Sequence, residues 1–479
     1  MRLMTAVLLF LAGCAQYAGA ADVSFTRDIV PILLRKCTGC HGERANLGGY
    51  RAHTYQGLLK TGASGLASIT PGSPEKSRLY QLITAKVDLL RMPKSDDPLP
   101  AAQVATIRKW IAEGAKFDGS DPAAALKTLA GPRTHPAAPG VYRTSVPVMA
   151  LALFPGGEQV AVGGYNEVTV WNASTGALLR RIGNLPQRIQ ALSFSKDGGT
   201  LLVAGGTPGE YGEIALVDVN QGVRAKVLDV WTDICLTAVY SEDGRRIAAG
   251  GADNSVRLYD AETGKRLWMS GVHSDWVTAV SFSGDGRFVA SASRDMTVKI
   301  NEAATGELFT TYSGHNRTIG QYAEHAPVYA VRFAPNSLTA YSAGAGRWIQ
   351  QWDPIKAKAE SGDAGDMEER FSKASHAVHL DHGFQHEVFA LTLRVGQLFA
   401  ASADGVVKQF DLATQKEVRV YKADPEWLFA LDYDPASGRV AAGSYGGQVH
   451  VWESKGGRLI LMFPAQPGAG ARRLASGIR

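Results

Sequence analysis

The 479 residues exceed one ordinary domain, and length alone predicts about three domain equivalents. With 45% apolar and 20% charged residues the composition is globular, which excludes a disordered or fibrous chain. A formal charge of +5 is small for this length and carries no nucleic-acid signal, so no nucleic-acid partner is expected. The charge is uneven: residues 21–130 hold 15 Lys/Arg against 10 Asp/Glu, whereas the rest, apart from Arg2, holds 34 against 35. An ordinary solvated surface is the plainer reading of that excess, because steering needs clustered charge.

The N-terminus has the layout of an export signal over residues 1–20: Arg2, the apolar run Ala6–Leu11, then small residues. That run is too short to span a bilayer, and no later segment reaches the ~18 apolar residues a span needs. Leu11-Ala12-Gly13-Cys14 is similar to a bacterial lipobox, in which cleavage before Cys14 leaves that cysteine lipidated. Ala18-Gly19-Ala20 offers a competing cleavage after Ala20. The lipoprotein reading is preferred. It places the protein in the periplasm or cell envelope, touching a membrane only through its N-terminal lipid anchor. Of the remaining thiols, Cys235 lies in an apolar strand pattern and is expected to be a packed small hydrophobe.

Next come Cys37-Thr38-Gly39-Cys40-His41. Two thiols at this spacing can add across the two vinyl groups of one haem, and the following histidine then lies under the iron as an axial ligand. Phe25, Ile29, Ile32 and Leu33 fall at helical spacing just before it, with Ser24 or Thr26 as cap. Pro31 fits such a helix only in its first turn. Farther on, Pro100 starts a second helix, Val104, Ile107 and Ile111 form its stripe, and Gly114 closes it. Trp110 beside the stripe is expected in the core. The stretch between is loop-rich. Within it, Met92-Pro93 supplies the best second axial ligand, a soft thioether that favours ferrous iron and raises the potential. His53 is the rival; bis-His ligation would lower the potential, but His53 follows the attachment site closely.

Together, Phe25–Gly42, the run Pro71-Gly72-Ser73-Pro74-Glu75-Lys76-Ser77, Met92-Pro93 and Leu99–Ala115 resemble the planctomycete-type cytochrome c domain. The resemblance implies a small all-α domain over 22–120 with one covalent haem c, tethered by Cys37 and Cys40 and ligated by His41 and Met92. Lys94 is a departure, because the family often has a second proline there.

Residues 121–144 are rich in Ala, Pro and Gly and have the composition of a semi-rigid linker. Beyond it the chain repeats. Residues 153, 194, 240, 282, 333, 393 and 433 hold equivalent places in successive first strands, at steps of 41, 46, 42, 51, 60 and 40. Third strands end in Trp171-Asn172, Val217-Asp218, Tyr259-Asp260, Ile300-Asn301, Trp352-Asp353, Phe410-Asp411 and Trp452-Glu453. These resemble WD repeats and imply an all-β seven-bladed propeller over 145–463, followed by a tail, 464–479. Asp253, Asp295 and Asp404 sit in the turns between second and third strands and are expected to satisfy turn backbone groups. Two units are long, at 302–327 and 354–387, and such insertions are expected as loops on a propeller face. The second holds His376, His379, His382 and His386. Their spacing suits a metal site on a helical turn, against which stands Gly383.

The expected protein is therefore multidomain, a c-type cytochrome fused to a propeller. A His/Met-ligated haem leaves no open site for substrate, so single-electron transfer is the implied task. The propeller then docks redox partner proteins. Two other readings stay open: a propeller oxidoreductase that uses the cytochrome as electron outlet, and a haem-based sensor or scaffold.

Overall fold

The structure, a computed structural model, describes residues 23–468 apart from 43–45, 95–96, 120, 130–132, 316, 320–321, 325, 336, 362–370, 373–376 and 381–382. The expected signal segment, with Cys14, lies outside the described residues. The chain divides into two units, Met1–Arg133 and Thr134–Arg479.

In the first unit Ser24 caps the opening helical run, its hydroxyl accepting the Arg27 N–H at 3.0 Å. The run is not one regular helix. A five-residue π-turn, Phe25–Ile29, leads into α1, Val30–Lys36, with Pro31 at its second position. Pro31 therefore lies where the chain already departs from the α-ladder, and its missing N–H disturbs the helix little. Short helices α2 (Tyr55–Leu59) and α3 (Arg78–Ile83) punctuate the loops, and α4 (Ala101–Ala112) is the longest. Phe25, Ile29, Leu33, Leu58, Ile107 and Trp110 form the centre of the core. Trp110 is fully buried and donates its indole N–H to the Lys116 carbonyl at 3.0 Å. Among the described residues this unit is helical but loop-dominated, with no paired strands beyond a single bridge, Thr54 to Ala125.

That bridge belongs to residues assigned to the linker. The Leu126 N–H bonds to the His53 carbonyl at 2.7 Å and the Gln56 N–H to the Pro122 carbonyl at 3.0 Å. Leu126, in α5 (Leu126–Leu129), is wholly buried in the first unit's core. The far end is equally fixed to the second unit. His135 is buried, with Nε2 3.1 Å from Glu213 and Nδ1 3.3 Å from the Tyr211 hydroxyl. Leu126, His135 and Tyr142 of 121–144 are thus buried within their own units, while many of the residues around them are exposed.

Among the described residues the second unit contains seven sheets of at least four strands, five of them built from consecutive strands, and a separate two-stranded hairpin. The inner strands are Leu151–Leu153, Arg188–Phe194, Cys235–Tyr240, Val277–Phe282, Val328–Phe333, Val388–Arg394 and Leu428–Asp434. Each covers its expected repeat position. A single blade leaves both faces apolar; the ring buries them between neighbours, as where Trp171 of blade one meets Phe463 of blade seven at 5.1 Å. This is a seven-bladed β-propeller.

The ring closes without an exchanged strand. Asp432 of blade seven accepts the Leu153 N–H of blade one at 2.9 Å, and Arg439 donates to the Gly157 carbonyl at 2.6 Å. Residues 464–468 take part too: Gln466 donates to the Val146 carbonyl at 2.6 Å, and the Tyr142 N–H bonds to the Pro467 carbonyl at 3.3 Å. This part of the expected tail is therefore propeller structure.

The long units depart from simple face loops. Within 302–327 the strands Arg317–Ile319 and Tyr322–Glu324 form the hairpin. In the second insertion Asp353 caps α6 (Pro354–Ser361), accepting the Ile355 N–H at 2.7 Å. The strand Phe371–Ser372 then adds in parallel to the outer strand of blade four. With Lys358 donating to the Phe309 carbonyl at 3.0 Å, this insertion fastens blade five to the rim of blade four. An outer strand leaves N–H and C=O groups unpaired, and the insertion covers them.

Candidate haem-attachment site

The attachment motif hangs from the C-terminus of α1. Cys37 caps that helix, its N–H bonded to the Leu33 carbonyl at 2.9 Å, and the His41 N–H returns to the Cys37 carbonyl at 2.9 Å. Thr38 tightens the turn by donating its hydroxyl to the Leu34 carbonyl at 3.0 Å. Gly42 permits it, because a Cβ there would run into the Thr38 carbonyl oxygen. Arg35 and Lys36 in the last turn suit the helix dipole.

Cys37 is partly buried, Cys40 is exposed, and both are free thiols. Burial, reinforced by Cys40, pushes the Cys37 thiol up to about 12. It therefore stays protonated near neutrality.

His41 is oriented by an atom that no side-chain motif announces. Its Nδ1 lies 3.3 Å from the Tyr50 carbonyl oxygen, and the Tyr50 ring meets it edge-on at 5.4 Å. The Ala52 N–H bonds back to the His41 carbonyl at 2.6 Å, which fixes the two chain segments together. With Nδ1–H donating to that carbonyl, Nε2 keeps its lone pair for a metal.

Met92 is held by its backbone, whose N–H bonds to the Leu82 carbonyl at 3.0 Å, and its side chain is partly exposed. Lys94, standing where a second proline was expected, donates to the Leu89 carbonyl and ties the same loop. His53 has a buried Nδ1 with no hydrogen-bond partner.

These residues suit a haem. Every exposed large apolar side chain described in this unit lies between His41 and Met92 in sequence: Leu47, Leu59, Leu66, Val87, Leu89 and Leu90. Uncovered apolar side chains of this kind suit an apolar macrocycle. Among the described residues no three His, Cys, Asp or Glu groups converge on a bare-ion site. A haem asks less of the chain, because the macrocycle itself supplies the equatorial donors.

The propeller residues singled out from sequence are structural. Asp253 accepts the Ser255 N–H at 3.1 Å, Asp295 the Thr297 N–H at 3.0 Å and Asp404 the Gln385 N–H at 2.9 Å. Cys235 is fully buried in its blade, and burial pushes its thiol up. His379 sits in the strand Val378–Leu380 and stacks on Trp348 at 5.6 Å, so this part of the histidine cluster is not helical. His376 and His382 lie outside the described residues.

Sequence reading overlooked two features of the propeller. Tyr329, Phe389, Phe429, Trp427 and Tyr445 form a chain of ring contacts across blades five to seven, with Trp427 and Tyr445 half exposed. Arg332, Arg394 and Asp432 line one cavity in the ring. Each flanks an equivalent inner-strand position, so aligning those strands was the signal that could have found them.

Comparison with known proteins agrees with both units. Residues 37–96 match the family model Planctomycete cytochrome C, and residues 225–260, 264–300 and 415–453 match the WD domain, G-beta repeat. Protein SPA1-RELATED 4 of Arabidopsis thaliana is similar at 30% identity over 89 residues, 19% of this chain and 11% of that protein. The chain thus spans about a tenth of that relative's length. One polypeptide here joins a Planctomycete cytochrome C domain to a seven-bladed β-propeller of WD repeats.

Proposed function

We propose that the protein is an exported electron carrier whose propeller docks its redox partner. The observation that carries this reading is the orientation of His41: Nδ1 is engaged by the Tyr50 carbonyl while Nε2 remains available, directly after two free thiols. In this reading Cys37 and Cys40 would hold one covalent haem c, with His41 and Met92 as the residues that would bind its iron. Bound haem c supplies a one-electron ferric/ferrous couple. The chain contributes a fixed His41, a soft sulfur at Met92 and apolar cover from the leucines between them. Filling both axial positions excludes substrate from the iron, so the task is outer-sphere transfer and not bond cleavage.

The half-exposed Trp427 and Tyr445, with Trp276, support a docking role for the propeller, since aromatic side chains dominate protein interfaces. Export and lipidation at Cys14 complete the proposal and place the protein at the cell envelope.

Intact-mass analysis of the full chain, produced with c-type haem maturation, tests the assignment. The account expects one haem per chain and an acylated N-terminal Cys14. A mass without haem under those conditions contradicts the reading.

A further inference from the structure

The inner strands of all seven blades end around one cavity of about 390 Å³. Most of its lining is neutral, including Ser193, Ser281 and Thr392. Arg332 of blade five and Arg394 of blade six stand out. Each donates NH1 to the carbonyl just before it, Arg332 to Val331 at 2.8 Å and Arg394 to Leu393 at 3.1 Å. Arg332 NH1 also reaches the Val280 carbonyl of blade four at 3.4 Å. Among the described residues no carboxylate lies within ion-pair distance of either guanidinium.

Three carboxylates, Glu242, Asp432 and Asp434, share the lining with the three cations Lys196, Arg332 and Arg394. Burial pushes the Asp432 carboxyl up, opposed by the charges of Arg394 and Arg332, neither of which pairs with it directly. Asp432 accepts the Leu153 and Tyr433 N–H groups, each at 2.9 Å, and Asp434 accepts the Ser437 N–H at 2.8 Å. Glu242 and Lys196 stand on blades three and two. Burial, with Arg394 adding to it, brings Arg332 down to about 10 against the opposing pull of Asp432, so it remains a cation near neutrality. Two adjacent blades thus present cations with spare donors, beside the buried Asp432, in a space of small-molecule size. Guanidinium forks match planar or tetrahedral oxyanions better than any other side chain does.

We infer that this cavity is a binding site for a small oxyanion, a carboxylate or phosphate group gripped jointly by Arg332 and Arg394. The site is independent of the haem reading, and its test uses neither colour nor electron transfer.

The test is titration calorimetry of the full-length protein at low ionic strength with inorganic phosphate and, separately, with citrate. Binding of phosphate supports a site for any oxyanion, and binding of citrate alone supports a site for organic carboxylates. Arg394→Gln is expected to weaken binding about tenfold or more. Arg332→Lys keeps the charge but loses the fork, and is expected to weaken binding less than Arg332→Gln. Failure of both anions to bind the unaltered protein overturns the inference. So does binding that Arg394→Gln leaves unchanged, which would show an adventitious ion only.

Discussion

Lowering the pH is expected to loosen blade five through His315. This side chain is 1% exposed, and its Nε2 lies 2.8 Å from the Ser342 hydroxyl, which also accepts the Trp352 indole N–H at 3.1 Å. The hydroxyl proton serves Nε2, the arrangement of a neutral imidazole. Burial, with His379 nearby, takes His315 from 6.5 down to about 3. Blade four has the corresponding His273 beside Asp295, at 2.8 Å from Nδ1. In blade five Gly346 occupies the place of Asp295, so no carboxylate from that turn offsets the burial.

The sign follows from proton counting. Between about pH 3 and 6.5 the unfolded chain binds a proton at this position that the folded chain refuses. Stability therefore rises with pH across that window and is lost as pH falls. Each unit is worth about 1.4 kcal/mol, so going from about pH 6.5 to 4.5 costs on the order of 2 kcal/mol from His315 alone. Asp295 does not mimic this loss. Burial pushes its carboxyl up, but the hydrogen bond and charge of His273 outweigh that and hold it well below the usual range. Its contribution fades only below the ordinary carboxylate value. Scanning calorimetry of the propeller transition against pH, for the unaltered chain and for His315→Gln, isolates the effect. The variant is expected to lose about 2 kcal/mol less over that interval. Parallel curves would refute the reasoning.

Three further outcomes follow. Met92→Ala is expected to open the iron, changing ferrous protein from unreactive toward carbon monoxide to binding one molecule per haem; an unchanged spectrum would remove Met92 as ligand. Cys40→Ser is expected to leave haem attached through Cys37 alone, visible as a red shift of the alkaline pyridine haemochrome, whereas an unshifted band would show that Cys40 forms no thioether. Leu126→Ala is expected to destabilise the cytochrome unit by about 2–5 kcal/mol in chemical denaturation followed at the haem band. A change below about 0.5 kcal/mol would show that 121–129 is spacer after all.

Much of the fold is legible in the sequence because its signals are local and repeated. The blade strands recur around positions 153 to 433, and a period survives even where single copies such as 211–218 drift. Ser24, Trp110 and Cys235 follow from helical or strand spacing alone. Other elements depend on contacts that spacing does not encode. Leu126 looks like one leucine in an alanine-rich stretch until the His53 carbonyl receives its N–H. The clasp formed by Phe371–Ser372 requires blade four to be present first. At the candidate site the side-chain donors are written in the motif. The orienting group is not, because the Tyr50 carbonyl is backbone and any residue there carries one. Arg332 and Arg394 were missed for another reason: sixty residues of insertion and blade separate their strands, and they come together only once the repeat is aligned strand by strand.

The measurement that tests the central claim most directly is the absorption spectrum of matured full-length protein, oxidised and then reduced, with and without carbon monoxide. The account predicts low-spin haem with the weak far-red band of methionine-ligated ferric iron and no response to the gas. A high-spin iron, or a ferrous form that binds the gas readily, would contradict it.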